Sequence, residues 1–485
     1  MIFVVDVGTS VLKAAVFGPD GTLDQREESE LTLVKSNNPL YHEVDANSWI
    51  EALSLLSEKL DIRGNRNIEA VVVSGNGPTL VPVGADDKPL DLAMTWMDRR
   101  GIAEAEHITE LNGFYVDPTF YLPKALWIYN NRPAVYEATK YFFSCSEYIN
   151  YLLTGVAKTV LPVPEYRPYI WTEELVTSLG MDWGKFPDFI RPAEMVGEVA
   201  AQGEQLCGIP QGVPVFAGGA DFIVSLLGTG VVFPGRVCDR SGTSEGINLC
   251  SDRLIHEERL LCVSHVIEGM YNISGIISTS GKALEWFKNI SGNKHTSYEE
   301  LFHHIEDVPA GSDNLIFLPY LTGERAPIWD PNARGTFVGL TLNHGRKEMT
   351  RAVVESVGYA IRDIIEIMEE NQLEVEELRI TGSQAKSALW NQIKADITGK
   401  KIIVPELKDS ELAGNMSIAL YGLGKYSSLA EAADKNVRIE KTYHPDEKQG
   451  DLYSTYFRIY RKTYQGLKDV YKDLTHIHKS QEEHT

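Results

Sequence analysis

The chain has 485 residues, 43% of them hydrophobic and 24% charged. This is a globular composition, too long for one core and expected to divide into two domains. Lys and Arg number 46 against 68 Asp and Glu, a formal net charge of −22, which disfavours nucleic acid and anionic membrane as partners because both repel an acidic surface. The five cysteines contain no Cys-x-x-Cys pair, so neither a disulfide framework nor a zinc site is expected. With no basic leader and no uncharged apolar run of about 18 residues, the sequence predicts a soluble cytoplasmic enzyme.

In chain order, Ile2 to Asp6, Leu12 to Phe17 and Thr22 to Leu31 read as extended runs, the last two joined by the turn Gly18-Pro19-Asp20-Gly21. Such alternating β-rich runs with tight turns predict a meander. Ala46 to Leu60 carries Trp49, Ile50, Leu53, Leu55, Leu56 and Leu60 at helical spacing, and Ile68 to Val73 follows as a buried strand. The order is β-β-β-α-β.

The second half repeats that order. Strands are predicted at Arg236 to Asp239, Gly246 to Cys250, Leu260 to Ile267 and Tyr271 to Ile277, leading into a helix from Gly281 to Lys288. A long amphipathic helix follows over Arg346 to Glu370, then a strand at Glu377 to Ile380, a helix at Ser387 to Ile397 and a strand at Lys401 to Val404. The repeat is one of topology rather than of sequence. It predicts an α/β fold of two actin-like, ribonuclease-H-like domains around a central cleft, one spanning 1–231 and the other 232–485, with the tail from about residue 452 packing back onto the first. His476, His478 and His484 in that tail read as surface histidines.

The common phosphate motifs are absent. Gly275 to Gly281-Lys282 has five residues between its glycines and Ala283 where a P-loop needs Ser or Thr. No Gly-x-Gly-x-x-Gly follows the first strand, against a dinucleotide fold. What stands out is an acid near a glycine-hydroxyl turn, occurring twice: Asp6 before Gly8-Thr9-Ser10, and Asp221 in Gly218-Gly219-Ala220-Asp221 before Ser241-Gly242-Thr243-Ser244. Glycine lets backbone amides approach phosphate oxygens and the hydroxyls add donors, so each turn is a candidate anion nest, with Lys13 able to add charge to the first. Asp221, a carboxylate in an apolar stretch, is the candidate catalytic residue.

These residues, with Trp96-Met97-Asp98-Arg99-Arg100, Pro123-Lys124-Ala125-Leu126-Trp127, Leu153-Thr154-Gly155, Gly323-Glu324-Arg325-Ala326-Pro327, Arg334-Gly335, Gly339-Leu340 and Gly382 to Trp390, resemble the FGGY carbohydrate kinases. The resemblance runs through most of the chain. It implies that Asp221 is the general base that takes the proton from a sugar hydroxyl attacking the γ-phosphate of ATP. It also implies Mg2+ near Asp6 and Asp221, phosphates held by Gly8, Thr9, Ser10, Lys13, Gly242 and Thr243, and adenosine near Gly382, Ser383 and Ser387. Asn76, Trp96, Asp98 and Arg99, with Asp221, are the expected sugar-binding residues. Glu324 and Arg325 read as an interdomain ion pair, and Lys124 as structural.

The implied partners are a small sugar and ATP, with no nucleic acid and no membrane; a homodimer is left open. The acceptor is expected to be an open-chain ketose, polyol or aldonate, first of all a xylulose-like pentulose. An actin-like nucleotide-binding assembly or sensor protein without a small acceptor is the rival reading. Two departures from the family pattern bear on specificity. Gly77-Pro78-Thr79 stands where the common bacterial xylulose kinases carry Met-His-Gly, which predicts added space in the sugar pocket, while Thr381-Gly382-Ser383 and Asn415 after Gly414 predict added polarity near the adenine.

Overall fold

The computed structural model describes residues 1–63 and 67–482, with side chains through residue 477. His484 and the side chain of His478 therefore lie outside the described residues. Two compact units emerge. The first is Met1–Gly230 with Ser264–Glu268 and Ser410–Asn436; the second is Val231–Val263, Gly269–Asp409 and Val437–Thr485. The chain thus leaves the first unit after Gly230 and returns to it.

The first unit is built on a six-stranded sheet. Its strands are β1 (Ile2–Val7), β2 (Val11–Phe17), β3 (Leu23–Glu30), β4 (Ala70–Gly75), β5 (Met195–Glu198) and β6 (Pro214–Ala220), in the order β5-β6-β4-β1-β2-β3. The β1-β2-β3 meander is antiparallel, while β1, β4 and β6 run parallel, a pairing that needs helical crossovers. All six residues of β1 are buried, as expected of a strand covered on both faces. Phe3, Val5 and Val7 join a core with Trp49, Leu53 and Leu56 from the helix Asn47–Lys59 and with Tyr148 and Leu152 from the helix Cys145–Thr154. By strand alternation, Asp6 shares the opposite face with Ile2 and Val4.

That face is met by the returning segment. Asn415, on the helix Ser410–Gly422, donates through Nδ2 to Val5 O at 2.9 Å and to Ser74 Oγ at 2.8 Å. Its amide thus ties β1 to β4. The same helix crosses the helix Asp221–Gly228 at backbone distance. A methyl on Gly228 would meet Ser410 O at 1.8 Å, and one on Gly414 would meet Val224 O at 2.1 Å. Only glycine fits at either crossing point.

The second unit has a seven-stranded sheet: β7 (Arg236–Ser241), β8 (Glu245–Ser251), β9 (Leu261–Ser264), β10 (Tyr271–Ile277), β11 (Glu377–Gly382), β12 (Lys401–Pro405) and β13 (Ile439–Tyr443), in the order β9-β10-β8-β7-β11-β12-β13. The antiparallel β7-β8-β10 run beside the parallel β7-β11-β12 run repeats the plan of the first sheet, so the fold is the two-domain actin-like architecture. The helix Arg346–Glu370 has the bounds its periodicity predicts, and its Val353, Val357, Ile361 and Ile364 fill the core. The strand predicted over Leu260 to Ile267 is shorter, ending at Ser264 where His265 Nδ1 accepts from the Ile267 amide at 3.0 Å and turns the chain.

The tail is the second correction. The helix Glu447–Glu482 packs within the second unit, burying Tyr453, Phe457, Tyr460 and Tyr464 in that core. Glu355 anchors it, accepting from Tyr453 Oη at 2.8 Å and Arg351 Nε at 2.9 Å. The aromatic spacing along the tail makes it a core helix of its own domain. Among the described residues no helix is long and apolar enough to cross a membrane, and all five cysteines are free thiols.

Candidate active site

Asp221 opens the helix that follows β6, at a position where an anion is favoured by the unpaired helix amides. The chain reaches it through Gly219, whose φ of +134° suits glycine alone. Its Oδ1 accepts from the Phe222 amide at 2.6 Å. Ser225, one turn on, lies within hydrogen-bond reach of both the Asp221 carbonyl (2.8 Å) and Glu411 Oε1 (3.0 Å). Glu411 belongs to the returning helix and shares a helix face with Asn415, four residues later.

Asp6 is the third carboxylate. It is 3% exposed, pairs in register with Lys13 across β2, and accepts from Ser74 Oγ at 2.7 Å. A chain of contacts therefore runs from Asn415 through Ser74 to Asp6. Burial, then the charges of Glu411 and Asp221, push the Asp6 carboxyl up to about 8, with Ser74 and Lys13 acting in the opposite direction. Like charges held this close in a dry setting are costly. A divalent cation would relieve that cost, and hard carboxylate oxygens are the donors magnesium takes. Among the described residues no three His, Cys, Asp or Glu side chains form a ready metal cage.

The Gly8–Ser10 turn sits beside this group. The Gly8 amide closes onto Val11 O at 3.0 Å, and the Ser10 carbonyl accepts from Leu31 N at 2.7 Å. The amides of Thr9 and Ser10 make no hydrogen bond within the protein. Trp96, 41% exposed, donates from Nε1 to Thr9 Oγ1 at 2.8 Å. Trp96 is therefore a wall residue beside the turn and not a core residue.

Three other expected sugar ligands fare differently. Asp98 is fully buried: its Oδ1 accepts from Arg100 N (3.1 Å) and Nε (2.9 Å), and its Oδ2 from Arg100 Nη2 (2.7 Å) and His42 N (2.8 Å). Four donors fill a carboxylate, so in this structure Asp98 anchors its loop. Asn76 is engaged in part, its Nδ2 donating once, to Val7 O at 2.8 Å, and its Oδ1 accepting from Thr79, which leaves one N–H and one lone pair. Arg99 is exposed, and its guanidinium makes no hydrogen bond or ion pair.

Behind these loops Lys124 is fully buried, its Nζ donating to Pro78 O at 2.6 Å and Thr95 O at 2.7 Å. Burial lowers its ammonium to about 7, against the attraction of Asp98 and Asp117 and with the repulsion of Arg100. One side chain thus fastens the loop after β4 to the loop that carries Trp96.

In the second unit, the Gly242–Ser244 turn between β7 and β8 repeats the first. Gly242 N closes onto Ser244 O at 3.0 Å, and the amides of Thr243 and Ser244 have no partner in the protein. The turn's own carbonyls are held from behind: Gly281 N donates to Gly242 O (3.1 Å), and Ser280 N and Lys282 N to Thr243 O (3.2 Å each). Below lies a fully buried ion group. Lys394 pairs with Asp239 at 2.8 Å and with Glu245, and Glu245 also binds Ser280 and Gln384. Burial raises both carboxyls, yet Lys394 and its hydrogen-bonding neighbours hold Glu245 below its usual range while Asp239 stays well above.

Gly382 ends β11 with φ +84°, and a methyl there would meet Ser241 O at 2.0 Å. Ser383 is exposed next to it. Ser387 caps the helix Ala388–Thr398, its hydroxyl accepting from Trp390 N at 3.3 Å, so its side chain is a cap. Glu324 and Arg325, expected as an interdomain ion pair, lie in one unit, where Glu324 accepts from the amides of Ser278 (2.8 Å) and Arg325 (2.9 Å).

Sequence reasoning missed Glu411, the partners through which the structural Lys124 acts, and the Lys394 group. Glu411 carried a faint signal, an acid at the start of a helix beside Gly414. The others are contacts between distant segments.

The family models for the N-terminal and C-terminal domains of the FGGY family of carbohydrate kinases match residues 1–228 and 240–423. The chain is 27% identical to the xylulose kinase of Staphylococcus epidermidis over 98% of each chain. It is 26% identical to the gluconokinase of Bacillus subtilis over 97% of this chain and 96% of that one. A crystal structure of ligand-bound xylulose kinase from Lactobacillus acidophilus superposes with a TM-score of 0.84 at 24% identity, covering 98% of this chain and all of that one (100%).

Proposed function

The chain belongs to the FGGY family of carbohydrate kinases, and from that membership we propose that it uses ATP to phosphorylate an open-chain pentulose of the xylulose type, with Asp221 as general base. The observation that carries this reading is the placement of Asp221 at a helix start, one hydroxyl away from Glu411 and within the field of Asp6. In the proposed step the acceptor hydroxyl gives its proton to Asp221 as its oxygen forms a bond to the γ-phosphorus. The bond from that phosphorus to the β-γ bridging oxygen breaks, and ADP leaves. A carboxylate positioned for such a transfer contributes about 10²–10⁴-fold.

Roles follow from what each residue has left to offer. Thr9, Ser10, Thr243 and Ser244 keep amides for phosphate oxygens, and the Gly382–Ser383 corner is an adenosine contact. Trp96 and Arg99 are the sugar contacts that keep exposed surface; Asn76 and Asp98 hold their loops. Mg2+, held by Asp6 and Asp221, would neutralise phosphate charge. The similarity to the xylulose kinase of Staphylococcus epidermidis, 27% against 26% for the gluconokinase of Bacillus subtilis, supports a pentulose before an aldonate. A cytoplasmic setting belongs to the same proposal.

The test is ADP release with Mg2+ over pentuloses, hexuloses, polyols and aldonates. D-xylulose or a close pentulose should give the highest kcat/KM. Highest turnover on an aldonate would replace the acceptor, and no acceptor-dependent ADP would remove the kinase reading.

A further inference from the structure

Tyr121 opens the helix Tyr121–Asn131, and nothing in the sequence reading assigned it a role. Its ring is held edge-on to the fully buried Trp171, with centroids 6.0 Å apart. Its hydroxyl, by contrast, makes no hydrogen bond among the described residues. That hydroxyl lies over Gly77. A methyl built on Gly77 would sit 3.1 Å from Tyr121 Oη and 3.2 Å from the Cβ of Ala220, the residue before Asp221. The space that the missing side chain at Gly77 was expected to open is therefore occupied from the other side by a phenol.

Resting on the sugar-kinase reading, the geometry points to Tyr121 as a specificity-determining residue whose hydroxyl hydrogen-bonds an oxygen of the acceptor next to the one that Asp221 deprotonates. The residue is only partly buried, so a hydroxyl without a protein partner is free to exchange its water for an oxygen of a ligand. The phenol is suited to that task. Burial first, then the negative charge of Glu147, Cys145 and Asp221, raise its pKa well above the ordinary value, so it remains an O–H donor and acceptor throughout the working pH range. The Lys124 ammonium fixes the Pro78 carbonyl of the same loop, which keeps Gly77 under the ring. Selectivity among open-chain sugars then comes from a donor that the wrong acceptor leaves unpaired.

The experiment compares the wild-type chain with Tyr121→Phe, which keeps the ring against Trp171 and removes only the hydroxyl. Calorimetric affinity for ATP should be unchanged, while kcat/KM for the preferred acceptor falls about 10- to 100-fold. With a series of mono-deoxy acceptors, the wild type should discriminate against one position that the variant tolerates. Equal kcat/KM for every acceptor in both proteins, or the same deoxy profile, overturns the assignment. Gly77→Ala, whose methyl crowds the phenol, gives a second reading and should raise the acceptor KM with ATP affinity intact; an unchanged KM counts against the proposal. A wild-type chain that turns over no acceptor removes the kinase reading and this one together. Turnover by the wild type with an unaffected Tyr121→Phe removes this one alone.

Discussion

Asp221 and Asp6 lie on adjoining elements, yet the protein treats them differently. Asp6 is enclosed, with Ser74 and Lys13 its nearest favourable partners, whereas Asp221 stands half-buried at a helix start. A group that must meet a substrate needs that access. Asp221→Asn keeps the shape and the Phe222 contact, so folding and ATP affinity should survive while kcat drops about 10²–10⁴-fold, roughly 3–5 kcal/mol of transition-state stabilisation. Near-normal kcat in a rapid-quench assay would remove Asp221 as the base. At this scale the sequence was informative where the residue type alone decides. An acid after three small residues, or a glycine forced to φ +84° like Gly382, can be read from one segment. Asp98 could not, because the His42 amide that completes its shell comes from another segment. Nor could Tyr121, whose importance depends on the side chain that Gly77 lacks.

Between elements, the connections are made by buried charges. Lys124 joins its helix to two loops, and its ammonium is lowered from the ordinary 10.5 to about 7 by burial. Between those values the unfolded chain holds a proton that the folded chain lacks, so this group makes stability rise with pH from about 7 to about 10.5. The facing charges are Asp98, Asp117 and Arg100. Lys124→Met should flatten that rise and cost about 1–3 kcal/mol for each carbonyl left without its donor. Urea melts at several pH values give the check, and identical pH slopes in the two proteins would refute it. In the second unit, Lys394→Met would leave Asp239 and Glu245 buried without their cation. The expected loss is about 3–5 kcal/mol, with weaker ATP binding because the Gly242–Ser244 turn rests on this group. A melting temperature unchanged from wild type would mean that the carboxylates find other partners. The elements themselves were largely legible: period-2 and period-3.6 patterns placed the meander and the Arg346–Glu370 helix, while the strand before His265 ran too long because a side-chain turn leaves no mark on hydropathy.

Across the whole molecule, the domain division was legible only in part. The glycine and proline turn near Pro234 marks the first exit from the N-terminal unit, but no composition change marks the return at Ser410. That return is recorded instead in Gly228 and Gly414, whose missing side chains let two helices touch. Residues 1–230 alone would expose the face of β1 opposite Phe3 and lose the Asn415 bonds to Val5 and Ser74. Such a fragment should bind hydrophobic dye and melt without cooperativity, and joining residues 410–436 to it through a flexible linker should restore a cooperative melt. A cooperative melt of the short fragment would show that the returning helix is dispensable.

The same return path sets a timetable for biosynthesis. The N-terminal unit is closed by residues that lie some 180 positions beyond its exit at Gly230, so at about 5–20 residues per second it stays unfinished on the ribosome for roughly 10–40 seconds. Asp6 and Asp221 are in place long before Glu411 and Asn415 emerge. The nascent chain therefore passes through a stage in which a sheet face is uncovered and Asp6 lacks the Asn415–Ser74 tether, and the first unit is completed only after residue 436 has been made.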